Sequence, residues 1–136
     1  MQTQSTQPRI LVVEDNAVFQ TLILKQLEHI SQEVQVFSTG ESFLAELHTA
    51  PDLIILDYNL DGCMNGYDVL KALKKLPFSA PVIFFSTNLE LTITSSILKL
   101  GVVEYIEKNI FTLPRLKESI KQVLTNSMNK LIPQLG

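Results

Sequence analysis

The 136-residue sequence has one cysteine, Cys63, so no internal disulfide can form. It has no basic excess: 11 Lys plus Arg stand against 14 Asp plus Glu, a formal charge of −3. That balance lacks the positive field of a nucleic-acid or anionic-lipid binder. No apolar run approaches the roughly 18 residues of a membrane span, and Met1–Gln7 has neither the positive region nor the apolar stretch of a secretion signal. A cytoplasmic protein is expected, with no nucleic acid and no membrane among its partners. Neither Gly-x-Gly-x-x-Gly nor Gly-x-x-x-x-Gly-Lys follows the first apolar run, which argues against a flavin or nucleotide carrier. Internal repeats and low-complexity segments are also missing. His29 and His48 fall on outer helices without further ligands at metal spacing and read as surface residues. Cys63 falls in a loop with no adjacent histidine to activate it, and no role is assigned to it.

What the chain does have is apolar content, 46% of its residues, enough for one compact domain with no room for a separate output domain. At this size a domain buries roughly 68–70% of its unfolded surface and needs neither disulfide nor structural metal. Ile10–Val13, Leu53–Leu56 and Val82–Phe85 are short, apolar on both faces and rich in β-branched or aromatic residues, as parallel strands covered on both sides should be. Weaker strand signals lie at Val34–Phe37 and Val103–Ile106. Between them, helices are expected at Ala17–His29, Glu41–His48, Gly66–Lys75 and Leu89–Leu100, and after them at Pro114–Leu124, where Pro114 suits a first turn. In the first helix Phe19, Leu22, Ile23, Leu27 and Ile30 form one stripe, with Gln20, Lys25 and Glu28 facing away. Strict β-α alternation predicts an α/β fold: a doubly wound parallel sheet with right-handed crossovers and helices on both faces. The domain is expected over residues 9–125, after a flexible tail at 1–8. Residues 126–136 form a C-terminal extension, more helix or a cut linker.

Open α/β sheets bind ligands beyond the carboxyl ends of their strands. The first strand ends in Glu14-Asp15, the third in Asp57, the fourth in Ser86-Thr87, and the fifth, after Tyr105, reaches Lys108. A single acid after a strand usually caps a helix or faces solvent; four polar clusters at one edge are a different signal. Carboxylates brought together there repel, each close pair by ~4 kcal/mol at ~4 Å and an effective dielectric of ~20. A hard divalent cation such as Mg²⁺ offsets this, taking one or two carboxylates and leaving positions for phosphate oxygens. Lys108 adds a second positive centre and Ser86 a hydroxyl. Together these are the parts for phosphoryl transfer to a carboxylate: nucleophile, metal and electrostatic clamp.

From Arg9 to about Leu124 the sequence resembles a response-regulator receiver domain of two-component signalling. The likeness is carried by Arg-Ile-Leu-Val-Val-Glu-Asp-Asn, Gly-Glu-Ser-Phe-Leu, Pro-Asp-Leu-Ile-Ile-Leu-Asp, Gly-Tyr-Asp-Val-Leu, Pro-Val-Ile-Phe-Phe-Ser and Gly-Val-Val-Glu-Tyr-Ile-Glu-Lys. The resemblance implies a flavodoxin-like (βα)5 sheet in the order 2-1-3-4-5. It implies that Asp57 is the phosphoacceptor, and that Asp15, Asp57 and the Asn59 backbone carbonyl hold Mg²⁺, with Glu14 helping through water. Ser86 and Lys108 would contact the phosphoryl group, and Ser86 and Tyr105 would form the switch. Three departures stand out. Asn109 replaces the family's proline after the lysine, so a trans Lys108–Asn109 peptide is expected, because a non-proline cis bond costs ~2.5–4 kcal/mol. The loop Tyr58–Asn65 is one residue longer than usual and lacks a proline. The first acid is Glu14 rather than aspartate.

The function implied is a phosphoacceptor that receives its phosphoryl group from a histidine kinase or histidine phosphotransfer protein and signals by protein contact. It would not be an enzyme beyond assisting its own phosphorylation and dephosphorylation. In the helix at Leu89–Leu100, Leu89, Ile93, Ile97 and Leu100 can face the sheet, leaving Leu91 and Leu98 exposed. That helix, Tyr105 and Pro114–Leu124 form the face expected to meet a downstream protein or a second copy of the chain. Alternatives are a phosphorylation-independent interaction module, or a receiver cut from a larger hybrid kinase or regulator. A phosphatase with an aspartyl-phosphate intermediate is disfavoured, since Asn59 stands where such chemistry usually needs a second aspartate.

Overall fold

The computed structural model describes residues 7–131, so most of the expected N-terminal tail and the last five residues lie outside it. Five strands, β1 (Arg9–Val13), β2 (Glu33–Phe37), β3 (Leu53–Leu56), β4 (Val82–Ser86) and β5 (Glu104–Glu107), form one parallel sheet. Its order is β2-β1-β3-β4-β5, as expected. The helices are α1 (Ala17–Leu27), α2 (Gly40–Glu46), α3 (Gly66–Leu73), α4 (Leu91–Lys99) and α5 (Leu113–Leu131), with a 3-10 turn at Ile110–Thr112.

Side chains of a strand alternate between faces, so central strands apolar at every position build two cores. Ile10, Val12, Leu53, Ile55, Ile83, Phe85 and Ile106 pack against α1 and α5 through Ile23, Leu27, Leu116, Ile120 and Val123. On the other face Leu11, Val13, Ile54, Leu56, Val82 and Phe84 meet Phe43, Val69, Leu70 and Ile97 of α2, α3 and α4. Burying each such side chain stabilises the fold by about 1.5–3 kcal/mol before the opposing chain entropy is counted.

Caps set the helix ends, and they shift several expected boundaries. Asn16, Thr39 and Asn65 accept N–H bonds at the starts of α1, α2 and α3. Glu90 offers α4 no such bond, and that helix begins at Leu91, two residues later than its apolar stripe suggests. Leu89 still packs on the core from outside the helix. The strand expected from Val103 starts at Glu104, with Val103 turned to solvent. Helix α5 runs past Leu124 to Leu131 because no proline or glycine follows until Pro133. Gln20 is a correction: instead of facing away, it turns its amide into the β1–α1 corner, donating to the Glu14 carbonyl (2.6 Å) and Ser38 Oγ (3.2 Å).

Candidate functional site

The carboxyl ends of β1, β3, β4 and β5 meet at one edge, and the backbone ladder continues just far enough to seat the polar residues there. Glu14 N–H donates to the Phe37 carbonyl (2.9 Å), Asp57 N–H to Val13 (3.1 Å) and Lys108 N–H to Ser86 (2.7 Å). Each side chain therefore springs from a fixed backbone.

Lys108 Nζ lies 2.6 Å from Asp57 Oδ2 and 3.0 and 3.1 Å from the two Glu14 oxygens. All three side chains are buried. The other oxygen of Asp57 accepts from Tyr58 N–H (2.7 Å), and Glu14 Oε2 from Asn16 N–H (3.1 Å). Beneath the ammonium, 5.0 Å away, is the Phe19 ring, a partner not foreseen from the sequence, where Phe19 is only one member of an apolar stripe. Two carboxylates share one ammonium, and Asp15 adds a third negative group. Oxygens of Glu14, Asp15 and Asp57 all lie within 4.8 Å of one another.

The strain of this crowding shows in the protonation equilibria. Burial, and then the Asp57 charge, push the Glu14 carboxyl up to about 7 against the opposing pull of Lys108. Asp15 is raised by burial, then by Asp61 and Asp57. Burial works against the Lys108 ammonium, but its hydrogen bonds and charge interactions with Asp57 and Glu14 prevail and raise its pKa. A site with more negative oxygens than it can neutralise, all hard donors, fits a hard divalent cation.

Ser86 is fully buried, and its Oγ makes no well-aligned hydrogen bond among the described residues, although it lies near enough to the Tyr105 hydroxyl to act on that group's titration. An orphaned buried hydroxyl costs about 1–3 kcal/mol, a deficit that a ligand oxygen would relieve. Ser86 shares the α2–α4 side of the sheet with Phe84, on whose ring Tyr105 stacks at 5.7 Å and 14°. The half-buried Tyr105 donates its hydroxyl to the Thr87 carbonyl (2.9 Å), and burial raises its pKa.

Asn59 is exposed and makes no side-chain hydrogen bond among the described residues. Its long loop is nonetheless anchored. Asp61 forms a parallel bridge with Thr39, Cys63 N–H donates to Glu41 Oε2 (2.8 Å), and Gly62 takes the positive φ (+86°) that favours glycine. This brings Asp61 near enough to disturb Asp15, a neighbour the sequence reading missed. Its only signal was a further acid four positions after Asp57. The Lys108–Asn109 peptide is trans, as expected.

On α4, Leu91 and Leu98 are exposed as expected, while Ile97 is buried and Ile93, with Leu89 and Leu100 just outside the helix ends, packs on the core. Ile110 and Phe111, just beyond Lys108, are also exposed and were not anticipated.

Comparison with known proteins places these features in context. The family model for the response regulator receiver domain matches residues 10–121. A protein-glutamate methylesterase/protein-glutamine glutaminase of Clostridium acetobutylicum is 32% identical over 120 residues, covering 82% of this chain and 34% of that protein. The chain thus spans about a third of that relative's length. The phosphorylated cyanobacterial phytochrome response regulator RcpA superposes with a TM-score of 0.73 at 29% identity, covering 87% of this chain and 91% of RcpA. The Mn(2+)-bound form of response regulator Rcp1 gives 0.72 at 26%, covering 84% and 91%.

Proposed function

Because the chain belongs to the response regulator receiver domain family, we propose that it accepts a phosphoryl group on Asp57, with Mg²⁺, from a phosphohistidine of a histidine kinase or phosphotransfer protein. The observation that carries this reading is the Lys108 ammonium held 2.6 Å from Asp57 and 3.0 Å from Glu14 inside a cluster of three carboxylates. The phosphorylated form of RcpA and the Mn(2+)-bound form of Rcp1 support it by analogy.

In the transfer, an Asp57 carboxylate oxygen forms the new bond to phosphorus while the bond from phosphorus to the donor imidazole nitrogen breaks. The electron pair of that bond returns to the imidazole. Little proton movement is required of this chain, so catalysis is positioning and charge stabilisation. Glu14, Asp15, Asp57 and the Asn59 carbonyl are the groups that would hold Mg²⁺, which supplies charge neutralisation at the phosphoryl oxygens. Lys108 exchanges its bond to Asp57 for one to a phosphoryl oxygen and keeps Glu14 as its second partner. The unpartnered Ser86 hydroxyl donates to another. Movement of Ser86 toward the new group opens space beside Tyr105, and the face formed by α4, β5 and α5 shifts population toward a state with different affinity for a protein partner or a second copy. Catalysis is confined to Asp57 of the chain itself. No helix among the described residues is long and apolar enough to cross a membrane, which fits the cytoplasmic location this reading requires.

Acetyl phosphate with Mg²⁺ tests the reading directly. Intact-mass analysis should show one added phosphoryl group, absent without Mg²⁺ and absent in Asp57→Asn. An unmodified wild-type protein would instead mark a phosphorylation-independent interaction module.

A further inference from the structure

We infer that the Thr112 hydroxyl, held in place by Asn109, is the device that positions Lys108; this deepens the phosphoacceptor reading and rests on it. Four methylenes make a lysine a poor pointer, so the accuracy of its ammonium depends on how firmly its backbone is held. On the amino side the sheet supplies that hold, through Lys108 N–H to the Ser86 carbonyl (2.7 Å). On the carboxyl side β5 has ended at Glu107 and the ladder offers nothing further.

Thr112 takes over at that point. Its Oγ1 donates to the Glu107 carbonyl (2.6 Å) and accepts from Asn109 N–H (3.2 Å), so one hydroxyl ties together the peptide groups on both sides of Lys108. Asn109 returns the favour. Its Oδ1 accepts from Phe111 N–H (2.8 Å) and Thr112 N–H (3.1 Å), closing the 3-10 turn that carries Thr112. Packing does not enforce this turn, because Ile110 and Phe111 are 60% and 85% exposed. Its shape comes from the reciprocal hydrogen bonds, an end-capping arrangement in which each side chain satisfies the other's backbone. Neither Thr112 nor Asn109 bonds to Glu14, Asp57 or the ammonium itself, so both act through Lys108.

The test uses the full chain and two pairs of variants: Thr112→Val against Thr112→Ser, and Asn109→Ala against Asn109→Ser. Two quantities are read: the maximal rate of Asp57 phosphorylation by acetyl phosphate at saturating Mg²⁺, and the Lys108 ammonium signal in ¹H–¹⁵N spectra of the unphosphorylated protein. Thr112→Val and Asn109→Ala should lower the rate roughly tenfold and broaden the ammonium signal through exchange with water. The serine variants should keep both close to wild type. A wild-type rate and a sharp signal in Thr112→Val would overturn the inference, as would a Thr112→Ser variant as impaired as Thr112→Val. If Thr112→Val does not fold, the Asn109 pair decides by the same criteria. Failure of the wild type to accept a phosphoryl group would sink the functional reading instead, and the ammonium signal would still decide the role of Thr112.

Discussion

Gly66 is packed so closely on Asp57 that a β-carbon at residue 66 would lie 2.2 Å from the Asp57 carbonyl oxygen and 2.9 Å from its carbonyl carbon. The same glycine opens α3 and donates its N–H to the Tyr58 carbonyl (2.7 Å). Backbone cannot yield as a flexible side chain does, so Gly66→Ala must push α3 off the residue that carries the carboxylate. A loss of at least ~2 kcal/mol is expected, seen as a lower urea midpoint, together with slower phosphorylation of the folded fraction. Unchanged values for both would show that the loop relaxes freely.

Lys108→Met should be costly in a way that depends on metal. Without the ammonium, Glu14 and Asp57 are left buried side by side, and removing one partner of a buried ion pair costs about 3–5 kcal/mol. Urea unfolding in EDTA should record that loss, and added Mg²⁺ should recover more stability in Lys108→Met than in wild type, because no protein cation competes for the carboxylates. Equal responses to Mg²⁺ in the two proteins would contradict this account.

Glu14 makes the metal-free protein more stable in mild acid. Its carboxyl titrates near 7 in the fold against an ordinary 4.5, so between those values the folded protein binds a proton that the unfolded chain does not. The contribution is therefore complete below about pH 4.5 and disappears as pH rises through about 7, amounting to on the order of 3 kcal/mol. Chemical denaturation in EDTA at about pH 5 and about pH 8 should show stability falling in wild type, with a much smaller fall in Glu14→Gln. A parallel fall in both would assign the pH dependence elsewhere.

Ser86→Ala separates stability from function. The Ser86 hydroxyl is buried without a partner, so deleting it removes an unsatisfied group and should leave stability unchanged or raise it by up to ~1–3 kcal/mol. Phosphorylation should nonetheless slow, because the donor proposed for a phosphoryl oxygen is gone, while Ser86→Thr retains it. A large stability loss in Ser86→Ala would mean that the hydroxyl is engaged in the resting protein.

The sequence by itself determined the sheet and the approximate position of the site. A covered parallel strand is an unbroken apolar run, and the first polar residue after it falls at the strand's carboxyl end. That is why Glu14, Asp15 and Asp57 could be assigned to one edge, and why the α1 stripe through Ile23 and Leu27 could be assigned to the core. Lys108, two residues past the mixed segment Val103–Ile106, followed from the β-α alternation and the family resemblance. Hydrophobic periodicity reports which face a residue occupies; it says nothing of which polar atoms meet across distant segments. Only the tertiary structure decided that Lys108 divides itself between Asp57 and Glu14, that Ser86 is left without a partner, that Gln20 turns inward, and that the uncapped α4 starts at Leu91. The replacement of proline by Asn109 was visible from the start, but its consequence was not, because the Thr112 hydroxyl that answers it acts through hydrogen bonds that exist only once the turn has closed.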